Sequence, residues 1–116
     1  MKKIIIIMAL FLMPIQADAR LIDYGLMRCT AYCPCEICSG KWQRQTYSGK
    51  TATAGRTIAV DPDVIDIGSK VKIGDRIYTA EDIGCRVKGD TIDIFFDTHE
   101  EVDEWGVRYI ESWVVK

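Results

Sequence analysis

The sequence predicts a mainly β fold: a closed six-stranded barrel with one short helix. Three observations lead there, namely six short runs of β-branched and aromatic residues separated by turn residues, a single well-marked helix, and a chain with room for one small domain. A small open sheet would leave edges exposed to further pairing. Closure into a barrel removes them.

The predicted strands are Leu26–Tyr32, Thr57–Val60, Lys70–Ile73, Arg76–Glu81, Thr91–Phe96 and Val107–Val115. Gly74-Asp75 fits a two-residue hairpin turn, with glycine where a positive φ is required. Ser39–Gly55 mixes Gly, Ser, Lys, Gln and Thr without periodicity and reads as a long surface loop. The helix begins at Thr98, which forms a capping box with Glu101. Val102 and Trp105 share one of its faces, and Gly106 suits its C-terminal end. There is no repeat, low-complexity segment or linker.

The N-terminus determines the compartment. Lys2 and Lys3 precede an apolar run from Ile4 to Met13, and Ala17-Asp18-Ala19 has the small-x-small pattern of a signal-peptidase site, so residues 1–19 read as a signal peptide cleaved before Arg20. The run is broken by Pro14 and falls short of the ~20 residues that a membrane-spanning helix needs, so no stable membrane anchor is expected. Cys29 follows the charged Arg28 and lies far from the apolar run, which argues against lipid attachment. The expected location is periplasmic, extracellular or in the cell wall.

Loss of Lys2, Lys3 and Asp18 takes the charged side chains from 15 basic and 17 acidic to 13 and 16, a net charge of −3 on the remaining 97 residues. This mild acidity gives no support to nucleic-acid binding. The N-terminal strand and cysteine-rich loop (20–56) and the remainder (57–116) are read as parts of one domain.

All five cysteines follow the signal segment, four of them in Cys29-Thr-Ala-Tyr-Cys33-Pro-Cys35-Glu-Ile-Cys38, with Cys85 apart. In an exported chain with a small core, disulfides are the favoured reading, and two bridges among these five would leave one thiol free. A long-range bridge from Cys85 to the N-terminal cluster is expected. Zinc is the alternative, because Cys35 and Cys38 have the C-x2-C spacing of half a zinc knuckle. The rest would have to come from Cys29, Cys33, Cys85 or His99. With no second paired half-site, the expectation is no metal and no cofactor.

Function is most legible in three acids: Asp61 in Ala59-Val60-Asp61-Pro62, Asp82 in Ala80-Glu81-Asp82-Ile83-Gly84, and Asp93 in Thr91-Ile92-Asp93-Ile94-Phe95-Phe96. Each adjoins apolar residues whose burial brings the carboxylates into partly dehydrated surroundings, and crowded, dehydrated carboxylates hold protons near neutral pH. A protonated carboxyl can act as general acid on a glycosidic oxygen. Asp61 before Pro62 also suits a turn. Asp63 and Asp66 do not extend it into a calcium loop, since Ile65 falls where a ligand is needed. Asp97, Glu100, Glu101, Asp103 and Glu104 read as the solvated face and N-terminal charge of the helix, and His99 as a helix-start residue. Trp105 and Trp113 suit the core, leaving Trp42 as the candidate sugar platform.

From Thr57 to Val115 the chain resembles the 3D domain family, named for three aspartates. The resemblance rests on the ordered strings Ala-Val-Asp-Pro, Ala-Glu-Asp-x-Gly, Val-Lys-Gly, Ile-Asp-Ile-Phe-Phe, Thr-His-Glu-Glu and Trp-Gly-Val-Arg, with intervals of 21 and 11 residues between the aspartates. Thr30-Ala31-Tyr32, Ser39-Gly40-Lys41-Trp42 and Thr51-Ala52-Thr53 are similar to cysteine-bearing members. Cys85-Arg86 departs from the small residues usual after Asp-x-Gly, and the loop after Thr53 looks shortened.

The resemblance implies a six-stranded double-psi β-barrel and peptidoglycan lytic transglycosylase activity, with glycan strands as partner and a 1,6-anhydromuramyl product. It implies Asp93 as catalytic acid and Asp82 as its supporting carboxylate. Asp61, Thr51, Thr53 and Lys88 would accompany Trp42 in substrate binding. A non-catalytic wall-binding module and a zinc-stabilised interaction domain are the alternatives.

Overall fold

Alternation of apolar and polar side chains sorts the strands into an inward and an outward face, and the inward faces close around one core. The computed structural model describes residues 21–115. Its strands are β1 (Leu21–Tyr32), β2 (Thr57–Ala59), β3 (Lys70–Ile73), β4 (Arg76–Asp82), β5 (Thr91–Phe95) and β6 (Arg108–Val115), with helices α1 (Glu36–Ser39) and α2 (His99–Trp105). They form a closed barrel in the order β1-β5-β2-β4-β3-β6, the expected double-psi architecture. The expected signal peptide lies outside the described residues. Among the described residues no helix is long and apolar enough to cross a membrane.

Met27 and Cys29 of β1, Ile58 of β2, Val71 of β3, Ala80 of β4 and Ile92 of β5 are fully buried, and Val114 of β6 nearly so. Each buried isoleucine contributes about 1.5–3 kcal/mol relative to exposure. The pairs β1–β5 and β2–β4 are parallel and the other four antiparallel, so sequence-distant segments become neighbours. The hairpin at Gly74-Asp75 pairs Ile73 with Arg76, and Gly74 has φ 65°, as the turn chemistry requires.

Two elements differ from expectation. β1 begins at Leu21 rather than Leu26: the strand passes through Gly25, where the register against β6 shifts between Asp23 and Gly25. A glycine reads as a strand boundary, yet here its φ of 73° serves a bulge inside the strand. A second helix, α1, replaces the start of the expected loop. It is four residues long, too short for a periodic pattern, and the Cys35 sulfur caps it by accepting a hydrogen bond from the Cys38 N–H at 3.4 Å. The helix α2 has the full predicted capping box between Thr98 and Glu101 and ends at Gly106.

Candidate active site

Sheet register lines up four residues across four adjacent strands. Thr30 of β1 pairs with Asp93 of β5, Asp93 with Ala59 of β2, and Ala59 with Asp82 of β4. The two aspartates therefore flank a single alanine, their Cα atoms two strand spacings or roughly 10 Å apart. A methyl group puts no bulk between them.

A bulge makes this row possible. β2 and β4 pair Ile58 with Ala80 and then Ala59 with Asp82, so Glu81 is the extra residue. Tyr78 and Ala80 face the core, and without the bulge Asp82 would follow them inward. The displaced Glu81 is buried and fully engaged: Oε2 accepts from Arg56 Nη2 at 2.6 Å and Nε at 3.1 Å, and Oε1 from Thr57 Oγ1 at 2.8 Å.

On β5, Ile92 and Ile94 face the core and Asp93 faces outward, partly buried. The Thr30 hydroxyl donates to Asp93 Oδ1 at 2.8 Å. No buried side-chain oxygen or nitrogen among the described residues lacks a partner, so Oδ2 meets solvent. Burial pushes the Asp93 carboxyl up to about 6; the Thr30 hydrogen bond pulls it back and the Asp82 charge adds to the rise. Such a group keeps its proton in mildly acidic solution, up to about pH 6.

Asp82 is tightly held. Oδ2 accepts from the Tyr32 hydroxyl at 2.9 Å, and Oδ1 from the backbone N–H of Tyr47 at 3.0 Å and of Ile83 at 2.9 Å. Burial, and then the Asp82 charge, push the Tyr32 phenol far above its ordinary value, so it remains a donor. Its ring meets Phe95 edge-on, with centroids 5.2 Å apart.

Asp61 takes a different part. Its Oδ1 accepts from Asp63 N–H at 3.0 Å and its Oδ2 from Gly89 N–H at 2.8 Å, tying the turn after β2 to the turn before β5. The Gly89 and then the Asp63 N–H hold its carboxyl below the usual range, with Lys88 adding a favourable charge. This is a positioning strut. Lys88, Cys85 and Arg86 are exposed in the β4–β5 connection.

Thr51 and Thr53 are exposed on the segment that closes over the end of β4. Gln45 bridges to Thr51, Ser48 N–H donates to Glu81 O at 3.0 Å, and Arg44 lies 5.4 Å from the Phe95 ring centre while pairing with Asp97. Trp42 stands at the start of this segment, 59% exposed, with Lys41 Nζ 5.3 Å from its ring centre. Trp105 instead packs against the core and donates to Cys29 O, and Trp113 is partly buried beneath Lys72.

The expected disulfides are not formed: all five cysteines are free thiols. Cys29 is buried in the core, where desolvation pushes its thiol up to about 11, whereas Cys85 is exposed. Cys33, Cys35 and Cys38 instead converge with His99. The Cys38 N–H, more than any other group, lowers the Cys35 thiol to about 6, whereas burial raises Cys33 and pushes Cys38 up to about 12.

Residues 56–116, just over half of the chain, match the family model for the 3D domain. The chain belongs to the 3D domain family. This 3D protein is 40% identical over 77 residues to the "Cell wall-binding protein YocH" of Bacillus subtilis, a match covering 59% of the chain and 27% of that relative. It is 38% identical over 87 residues to the "Putative cell wall shaping protein YabE" of the same species, covering 71% and 20%. It thus spans about a quarter or less of the relatives it matches. Among solved structures it is similar to MltA from Escherichia coli, at 22% identity with TM-score 0.53 over 62% of this chain and 27% of that one. It is also similar to the lytic transglycosylase LtgG of Burkholderia pseudomallei, at 24% identity with TM-score 0.55 over 61% and 26%. These likenesses establish the fold of the 3D domain.

The residues that sequence reasoning does not assign to the site are Thr30, Tyr32 and Glu81; His99 enters it only as one possible ligand in the zinc alternative. Thr30 and Tyr32 lie two residues apart on the outward face of β1, a spacing that the strand period makes visible in the sequence. Glu81 carries no local signal, because its place follows from a bulge.

Proposed function

We propose that this 3D domain is an exported peptidoglycan lytic transglycosylase that cleaves the bond between N-acetylmuramic acid and N-acetylglucosamine. The supporting observation is Asp93, a carboxyl raised to about 6 with one oxygen held by Thr30 and the other open to solvent. Asp93 donates its proton to the glycosidic oxygen as the muramyl C1–O bond breaks. The resulting carboxylate then accepts the proton of the muramyl C6 hydroxyl as that oxygen bonds to C1, giving the 1,6-anhydro product and restoring the acid.

The nucleophile belongs to the substrate, so no water-activating carboxylate is needed at the spacing ordinary glycosidases use. Asp82, fixed by three donors, acts as a charge that helps keep Asp93 protonated and as an acceptor facing the sugar. Asp61 sets the turn that leads into β5. Thr51, Thr53, Lys88 and Trp42 are exposed and are the proposed glycan contacts.

Digestion of purified sacculi followed by mass spectrometry of the soluble products tests this reading. Anhydro-muropeptides are the expected result; hydrolysed reducing ends would contradict it. The name of the Bacillus relative YocH favours a second reading, a wall-binding module without turnover. Retention on sacculi with no released product would favour that reading.

A further inference from the structure

The cysteine–histidine cluster lies outside the carboxylate row, and nothing in the proposed reaction uses it. Three sulfurs surround one imidazole nitrogen: His99 Nδ1 is 3.7 Å from Cys33 Sγ, 3.4 Å from Cys35 Sγ and 3.5 Å from Cys38 Sγ. Cys33 and Cys38 sulfurs are 3.7 Å apart, and all four ligand atoms fall within 4.8 Å of one another. A disulfide requires sulfurs about 2.05 Å apart. A tetrahedral zinc ion with bonds of about 2.3 Å to sulfur and 2.0–2.1 Å to nitrogen instead sets its ligand atoms about 3.6–3.8 Å from each other. The Nδ1–sulfur distances of 3.4–3.7 Å and the Cys33–Cys38 sulfur distance of 3.7 Å are close to the second arrangement and far from the first.

Two features outside the four ligand atoms suit a cation. His99 Nε2 lies 3.5 Å from Asp103 Oδ1, one helical turn on, which keeps the ring proton on Nε2 and leaves the Nδ1 lone pair facing the sulfurs. A carboxylate behind a histidine in this way orients metal-bound imidazole. The Cys38 N–H points at Cys35 Sγ, a hydrogen bond that spreads thiolate charge within a C-x2-C turn.

We propose that Cys33, Cys35, Cys38 and His99 bind one Zn2+ in a closed, four-coordinate structural site. Soft thiolates with one imidazole in tetrahedral array select zinc over oxygen-preferring cations, and four protein ligands leave no open position for catalysis. The site joins segments more than sixty residues apart in sequence. Cys33 directly follows Tyr32, which holds Asp82, and His99 opens α2 shortly after β5, which carries Asp93. Phe96 N–H already donates to Tyr32 O at 2.8 Å between them, so the ion fastens the ends of β1 and β5 beside the row.

The test is metal analysis of the exported chain purified without chelator or reductant, with cobalt substitution as its spectroscopic arm. One zinc per chain is expected, and Co2+ in its place should give tetrahedral d–d bands with thiolate-to-cobalt charge transfer. Cys35→Ser and His99→Ala should lose stoichiometric metal, whereas Cys85→Ser keeps it. Removal of zinc should lower the Tm by on the order of 10 °C or more. A metal-free protein that takes up no Co2+, a disulfide mapped within Cys33, Cys35 and Cys38, or unchanged metal content in His99→Ala would each overturn the assignment. Should the Cys35 or His99 variants fail to fold, the cobalt spectrum of the unsubstituted chain decides the matter.

Discussion

At Asp93, function and stability pull in opposite directions. Burial raises its carboxyl from 3.8 to about 6, so the folded protein holds this proton more tightly than the unfolded chain. The resulting stabilisation is complete below about pH 4 and is lost as pH rises through about 6, leaving a buried charge that costs roughly 3 kcal/mol above that range. Asp93→Asn should therefore gain about 3 kcal/mol on the wild type between about pH 4 and pH 7.5, measured by urea unfolding. A constant difference across that range would mean that Asp93 titrates like a free carboxyl. The same variant should lose roughly 10²–10⁴ in turnover on sacculi, since it removes the proposed general acid.

The neighbours of Asp93 move its proton in opposite directions. Thr30→Val removes a donor that favours the charged form, so the alkaline limb of activity should shift to higher pH. Asp82→Asn removes a repelling charge and should shift it to lower pH, by less than burial has raised it, because burial is the larger cause. pH–rate profiles of both variants provide the check, and parallel shifts would refute this account. Sequence alone made Asp93 legible because an acid between two isoleucines in a strand demands a reason. It did not reveal Thr30, whose contact depends on pairing between residues 63 apart.

Among the elements, local chemistry was readable wherever it was local. The capping box of α2, the Gly74 turn and the inward alternation of β3 and β5 all follow from neighbouring residues. The bulge at Glu81 does not, since it arises from pairing between β2 and β4 and from partners at Arg56 and Thr57. Arg56 is about half exposed but covers a carboxylate that is 4% exposed. Arg56→Leu should thus cost on the order of 2 kcal/mol, between the values typical of surface and buried pairs, and it should reduce turnover because the bulge sets the position of Asp82. Denaturant titration and activity on sacculi measure the two effects. A stable variant with full activity would show that the bulge holds without its cation.

Across the whole molecule, the closed barrel brings outward positions on four strands into one row, while the cysteine cluster and the Trp42 segment project beyond it. The barrel was legible because strand count and turn spacing are properties of the chain. The cysteines were misread because C-x2-C spacing and an exported context do not reveal that His99 returns to the same corner. On the proposed reading, the separation of barrel and loop would also separate cleavage from retention. Asp93 lies on the sheet, whereas Trp42 is exposed on a segment tied to the barrel through Arg44, Tyr47 and Ser48. Trp42→Ala should weaken sacculus binding by about 1 kcal/mol, roughly a fivefold rise in Kd, for loss of an aromatic contact. Asp93→Asn should bind sacculi as tightly as the wild type while releasing anhydro-muropeptides roughly 10²–10⁴ more slowly. Pelleting assays with both variants distinguish the two roles, and equal retention of Trp42→Ala and wild type would remove Trp42 from the glycan contact.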